Sequence, residues 1–390
     1  MNVSWKKKLL SSLAICTLLA SCAEEPVNLP TELKEVDNQF AIESRWVESI
    51  GEGDAGKFNS LAPAVWQDKV ISADVTGLVT AFELTTGNIL WEVQLASKLS
   101  GGVTANAGLV AVATKDAQVY VLDVNSGEQV WTAEVSSEVL TPPAIEDGKL
   151  VVRTADGRIF ALDLNTGKQV WFYDRVIPNL TLRGTSAPLA TNGIVLTGFA
   201  NGKIAAFNLQ SGDLLWEQRI SSPRGSSEIS RIVDVDATPV VFGTTLYAAG
   251  YNGFAIALDL SNGRYLWREE ASVTKTVLVD ALRTYMVTTD GRVIALDRFT
   301  GQPVWENSDL LYRSVTAPAN NGDYIIVGDF EGYLHWLNKS TGEISARIHL
   351  DNYGISQAPI VTDNDIIATS RYGYMHVFNN PQVIENETQE

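Results

Sequence analysis

The stretch ADGRIFALDLNTGKQVW, residues 155–171, contains a complete turn–strand–turn–strand unit. Asp156-Gly157 makes a tight turn, RIFALDL reads as a strand, Asn165-Thr166-Gly167 turns again, and KQVW opens the next strand. Glycine suits both turns because it enters positive φ without steric cost. Just upstream, KLVVRTA reads as the strand that feeds the first turn. Gly157 and Gly167 are ten residues apart, and Trp171 follows four residues later.

The same spacing recurs at Gly77, Gly87 and Trp91, at Gly202, Gly212 and Trp216, at Gly253, Gly263 and Trp267, and at Gly291, Gly301 and Trp305. The second copy keeps Gly127 and Trp131 with Ala117 first, and the seventh keeps Gly332 and Gly342 but has Ala346 for tryptophan. A period of about 40 residues signals stacked units. A further strand follows a recurrent proline, as at Pro188, Pro239, Pro318 and Pro359, so each unit has four antiparallel strands. The eighth copy starts at Gly373 and the chain runs out before its last strand. ESRWVESIG, around Trp46, resembles ILWEVQLAS around Trp91 and supplies that strand.

The pattern predicts an all-β chain: an eight-bladed β-propeller of four-stranded antiparallel blades over residues 40–380, the last blade closed by the N-terminal strand. Closure matters because an open array leaves two sheet edges exposed. A parallel solenoid, the alternative architecture, does not need a strand borrowed from the other terminus. The motif tryptophans are expected in the core, each burying on the order of 200 Å². Asp123, Asp163, Asp259 and Asp297 precede glycine turns and are expected to cap them by local hydrogen bonds.

The ends carry other information. Lys6-Lys7-Lys8 followed by an apolar run to Ala20 reads as a secretory signal over residues 1–21, too short to span a bilayer as a mature helix. Leu19-Ala20-Ser21-Cys22 resembles the lipobox of bacterial lipoproteins, which implies lipid attachment at Cys22. In that family Ala23, in place of aspartate, implies sorting to the outer membrane and a body facing the periplasm. Residues 22–39 are acidic and aperiodic, the pattern of an anchor and flexible tether, and residues 381–390 read as a polar tail. The net charge of −17, more negative still without Lys6, Lys7 and Lys8, repels nucleic acid and anionic lipid heads, so neither is an expected partner.

Catalytic patterns are sparse. His335, His349 and His376 are the only histidines, and His335 and His376 fall at equivalent places in adjacent copies, which points to a structural position. Neither G-x-S-x-G nor a phosphate loop is present, and no metal or other cofactor is expected. The repeat resembles that of quinone-dependent dehydrogenase propellers, which implies a quinone and a calcium ion. In that family adjacent cysteines lie by the quinone, and this chain has none. It also lacks the Gly-His and Trp-Asp pairs of WD repeats.

Repeat lengths mark a candidate site. The motif tryptophans from Trp91 to Trp305 are 40, 40, 45, 51 and 38 residues apart, so residues are added between the third and fourth and between the fourth and fifth copies. Both insertions follow an outer strand and precede an inner one, which places them side by side on one face. The first, RVIPNLTLRGTSAP, offers Ile177, Leu180, Leu182 and Arg183; the second, SSPRGSSEISRIVDVDATP, offers Arg224, Arg231, Asp234 and Asp236. Apolar side chains beside charges suit a protein contact. The alternative is that the leucines tuck beneath their own loop.

With NLTLRG before the fourth blade and DVDATPV before the fifth, the chain resembles the BamB family, lipoproteins of the outer-membrane β-barrel assembly machinery. The resemblance implies a non-enzymatic scaffold whose Leu180, Leu182, Arg183, Asp234 and Asp236 bind a periplasmic domain of the central barrel subunit. Exposed strand edges would offer unfolded clients a pairing surface. The alternative function is a quinone-dependent periplasmic dehydrogenase.

Overall fold

The computed structural model describes residues 28–54, 60–175, 178, 180–182, 186–223, 226–228 and 231–381. From Thr31 on, the chain forms eight antiparallel sheets arranged as a β-propeller. Blade 3 shows the common plan: Ala144–Glu146, Lys149–Arg153, Ile159–Asp163 and Gln169–Tyr173 pair in sequence order from the channel outward. The innermost strand of several blades begins immediately after the recurrent proline, at Leu189, Val240, Ala319 and Ile360. Ser44–Ser49 pairs with Tyr374–Asn379 and completes blade 8, with Trp46 opposite Val377. The ring is therefore sealed by the two ends of the folded body.

A β-bulge interrupts the pairing of the third and fourth strands in every blade, one residue before the tryptophan position. A bulge re-aims the residue that follows it. Here it turns each indole toward the next blade, where Nε1 donates to a backbone carbonyl. Trp91 bonds Val124, Trp131 bonds Leu164, Trp171 bonds Leu209, and Trp46 bonds Leu84 in blade 1. Trp216, Trp267 and Trp305 repeat the bond to Leu260, Arg298 and Lys339. The ring face of each indole lies on the turn glycine of the neighbour: a Cβ on Gly127 would sit 2.6 Å from Trp91, and one on Gly167 2.7 Å from Trp131.

Ala346 in blade 7 follows from the closure. The fourth strand of blade 8 comes from the N-terminus, so no glycine turn leaves its third strand and an indole from blade 7 has no seat. The space is filled from within: Trp336 is fully buried, donates to Asn321 Oδ1 at 3.2 Å, and meets Phe40 edge-on. Asn321 in turn donates to Asn380.

Two features differ from the sequence reading. Ser60–Leu61 adds a short parallel strand to blade 2, paired with Gly101 and Gly102. The acidic segment expected to be a free tether as far as residue 39 is docked from Thr31 onward. Its Asn38 side chain both donates to and accepts from the Arg347 backbone, and Gln39 N–H donates to Ser345 O. Those bonds cap the outer edge of blade 7. The signal segment, Cys22 and residues 382–390 lie outside the described residues.

The turn aspartates behave as expected: Asp163 Oδ1 accepts from the N–H groups of Asn165 and Thr166, and Asp123 and Asp297 repeat the pattern. The hydroxyls of Thr166 and Thr300, and then the backbone bonds, hold the Asp163 and Asp297 carboxyls below the ordinary range, and the Asn125 N–H leads in doing so for Asp123.

The indole–glycine contact makes a quantitative prediction. Gly108 has φ +79° with open space around it, whereas Gly127 has φ +72° and a facing indole. Gly108→Ala is expected to cost the backbone strain alone, ~1–2 kcal/mol. Gly127→Ala is expected to cost clearly more, comparable to the ~3–5 kcal/mol of Trp91→Ala, which removes the indole that faces it. Urea denaturation of the three variants checks this, and equal losses for the two glycines would refute the contact's role.

Candidate functional site

In each blade the turn between strands two and three and the connection from strand four to the next blade lie on one face, termed here the loop face. The remaining hairpins lie on the opposite, turn face. The two insertions, between Tyr173 and Leu189 and between Arg219 and Val240, are connections of the first kind. They therefore share the loop face at blades 3, 4 and 5.

Of the expected site residues, Leu180 is 46% exposed, Leu182 and Asp236 are half-buried, and Asp234 is completely buried. Ile177, Arg183 and Arg224 lie outside the described residues. Leu180 thus stands out from its loop. Asp234 instead lies behind the surface, where its Oδ2 accepts the backbone N–H of Leu182 at 2.6 Å. That bond ties the first insertion to the second. A further tie comes from Ser186 Oγ, which donates to Ala237 O at 3.1 Å.

Beneath these ties lies a layer that the sequence reading missed. Arg153 is 3% exposed, and its Nη1 donates to Ser186 O at 3.3 Å and to Gly198 O. Arg153 and Arg175 both lie over the Phe199 ring, with their guanidinium carbons 5.1 and 4.3 Å from its centroid. Arg175 also pairs with Glu217, which in turn pairs with Lys203. The signal was present in the repeat. The position of Arg153 is occupied elsewhere by small or β-branched residues, Ala73, Ala113, Gly198, Ala249, Val287, Gly328 and Thr369, and that of Phe199 by residues such as Asp74, Thr154 and Asp329. Both departures fall in the blades that carry the first insertion. Gly198 itself is needed bare, because a Cβ there would collide with Val235 of the second insertion.

The electrostatics follow from burial. Removal from water, and then the neighbouring Asp236 charge, push the Asp234 carboxyl up to about 8, against the opposing Leu182 N–H and Arg153. Desolvation pushes Asp236 up to about 6, again opposed by Arg153. Arg153 is lowered by desolvation to about 10 and stays cationic at neutral pH. The Arg153 cation thus faces two carboxyls whose charged forms burial disfavours.

His335 and His376 sit in the third strands of blades 7 and 8. His335 is buried between Asp329 and Arg347, and His376 lies 3.8 Å from Asp351. Among the described residues no group of three or more His, Cys, Asp or Glu is placed to hold a metal ion.

A protein-family model described as "Outer membrane protein assembly factor BamB" matches residues 75–307. The chain is similar to a protein of that name from Kangiella koreensis, 68% identical over 99% of this chain and 100% of the relative. The Escherichia coli protein of that name is 40% identical over 95% of this chain and 98% of its own length. The crystal structure of BamB from Moraxella catarrhalis superposes with a TM-score of 0.80 at 32% identity, covering 87% of this chain and 100% of that one. A europium-containing methanol dehydrogenase has a TM-score of 0.70 at 14% identity, a likeness of fold alone.

The raised Asp234 and Asp236 carboxyls set a pH dependence. A group whose folded pKa lies above its unfolded value binds more protons when folded, so its stabilising contribution is present at low pH and is lost as pH rises. Stability is expected to fall between pH 4 and pH 8 on account of these two groups. Asp234→Asn is expected to remove the fall between about 6 and 8 and part of that below 6, and Asp236→Asn the rest of the fall below about 6. Urea midpoints at pH 5, 6.5 and 8 measure it, and unchanged slopes in both variants would refute the assignment.

Proposed function

The chain belongs to the BamB family of outer membrane protein assembly factors, and on that premise we propose that it is a lipid-anchored, periplasm-facing scaffold that binds the central barrel subunit of the assembly machinery through its two inserted loops. The family is one of assembly factors, not of enzymes. Assisting the assembly of outer-membrane β-barrel proteins is the work its relatives are named for. Cys22 carries the lipid, and the signal segment before it directs export. The body needs no cofactor for this work.

The observation that carries the reading is the bond between Leu182 N–H and Asp234, which joins two otherwise separate insertions into one platform with Leu180 standing out. Leu180 and Leu182 supply the apolar centre of the contact and Arg183 its charge. Asp234 acts from behind the surface, fixing the backbone of Leu182, and the half-buried Asp236 borders the contact. This division suits an interface in which a few anchors dominate and supporting groups set their position. Unfolded clients meet the ring at its outer strands, whose side chains alternate exposed apolar residues such as Leu90, Phe172 and Leu266 with buried tryptophans. Edges of this kind can add a strand from an extended peptide. Blade 7 is excluded from that role, because the docked N-terminal segment covers its edge.

A pull-down of the central barrel subunit tests the reading. Arg183→Glu and Leu180→Asp are each expected to weaken capture by about tenfold or more, the scale of one lost hot-spot residue. Asp234→Ala is expected to weaken it comparably by freeing the Leu182 backbone. Full capture by all three variants would place the contact elsewhere.

A further inference from the structure

The loop face carries a second surface at blade 8, away from the two insertions. Tyr353, Tyr372 and Tyr374 are each close to half exposed there. The Tyr353 ring lies 5.1 Å from that of Tyr372 and 6.3 Å from that of Tyr374, with which it is stacked at 9°. Tyr353 belongs to the connection from blade 7 to blade 8, Tyr372 to the turn between the second and third strands of blade 8, and Tyr374 opens the third strand.

The fold does not call for a tyrosine at residue 372. The other seven blades have a polar residue at this turn position, such as Asp116, Asp156 and Asp290. Blade 8 closes the turn without it: Tyr374 N–H donates to Ser370 Oγ at 3.2 Å, and Gly373 N–H to Ser370 O at 3.2 Å. Three rings in contact and turned to solvent form a surface suited to a partner.

Two cations beside the rings lack acceptors. Arg371 precedes Tyr372, and its backbone N–H donates to Gly354 O at 3.0 Å, next to Tyr353. Its Nε is buried without a hydrogen-bond partner. Lys275 stands three residues before the inner strand of blade 6, at the mouth of the channel, where the other blades have an uncharged residue such as Thr141, Ser186 or Thr316. Lys275 is open to solvent, yet desolvation and then the Arg371 charge lower its amine, as expected of two cations that share a concave mouth. Among the described residues neither cation has an ion-pair partner, and the residues between 28 and 381 outside that set include no Asp or Glu. In a chain with 46 acidic and 29 basic residues, two neighbouring cations left uncompensated mark the place of an anion.

The rings select among anions. Inorganic phosphate or a lipid headgroup would use the cations and leave the tyrosines idle. A polypeptide uses both, since guanidinium pairs with carboxylate and Tyr and Arg are the residues that dominate protein contacts.

We propose that Arg371, Lys275 and the three tyrosines form a second binding site on the loop face, for an extended polypeptide segment in which carboxylates alternate with aromatic side chains. Arg371 donates to a carboxylate, Lys275 adds the second positive charge, and Tyr353, Tyr372 and Tyr374 pack the flanking aromatic groups. The site lies in blades 6 and 8 and does not depend on the leucine platform at blades 3 to 5.

Titration calorimetry of the full-length lipidated protein in detergent micelles tests this, with the blocked peptide Ac-Phe-Asp-Phe-Asp-Phe-NH2 and its uncharged twin Ac-Phe-Asn-Phe-Asn-Phe-NH2 as probes. The acidic peptide is expected to bind about tenfold more tightly than the twin, the scale of one charge-assisted hydrogen bond. Arg371→Gln combined with Lys275→Gln is expected to remove that difference. Tyr372→Thr, which installs the residue that blade 1 carries as Thr76, is expected to weaken both peptides about fivefold and leave their ratio unchanged. Leu180→Asp is expected to change neither peptide, which separates this site from the platform. No binding of either peptide, equal binding of the two, or a preference that survives the double variant would overturn the proposal. So would displacement by inorganic phosphate together with full binding by Tyr372→Thr, the result for a site that takes the anion alone, and so would loss of binding in Leu180→Asp, which would put the peptide on the platform.

Discussion

The contact of one indole with one glycine, made at seven of the eight blade boundaries, is the constraint on which the ring depends. An indole can lie flat on the neighbouring turn only if that turn lacks a Cβ, and the turn needs positive φ, which glycine adopts freely. The bulge before the tryptophan aims it, and the carbonyl beyond the glycine accepts its N–H. Three local requirements therefore converge on one geometry, and every blade but the seventh gives an indole to its neighbour. Because Trp46 completes the circuit against Gly87, the first blade has the same neighbour contact as the rest.

Closure explains the exceptions. A ring whose last sheet takes its outer strand from the chain's beginning has one junction without a strand-three-to-strand-four turn. There the repeat loses its tryptophan, at Ala346, and the core is rebuilt around Trp336, Phe40 and the Asn321–Asn380 pair. The same junction leaves the outer edge of blade 7 beside the incoming N-terminal segment. Sealing the ring and covering that edge are thus done by one continuous piece of chain.

The fold was largely legible in the sequence because its determinants are local and repeated: turn glycines, alternating strands, and a tryptophan at fixed spacing. The borrowed strand was legible too, since ESRWVESIG carries the same pattern as the other outer strands. Insertion lengths located the loops and their common face. The docking of residues 31–39 was not legible, because it uses backbone bonds and polar contacts to residues of one blade far away in sequence and leaves no periodicity. Nor was the burial of Asp234: an acidic residue in a polar loop reads as solvated, and its contact with Leu182 depends on how two loops of irregular shape meet.

Those irregular loops create a problem that the regular blades do not have. A backbone N–H outside a sheet ladder needs another acceptor if it is buried, and Leu182 finds it in Asp234. The acceptor is itself buried, so its charge must be neutralised by a proton or faced by a cation. Arg153 supplies the cation, held by the Gly198 carbonyl of blade 4 with Phe199 beside it to receive the guanidinium, while Gly198 is bare to admit Val235 of the second insertion. Each departure from the repeat at this place answers the one before it. The exposed leucines are therefore presented by a series of substitutions that reaches inward to the channel side of the ring, which ties the loop surface to the rigid blades and not merely to its own chain.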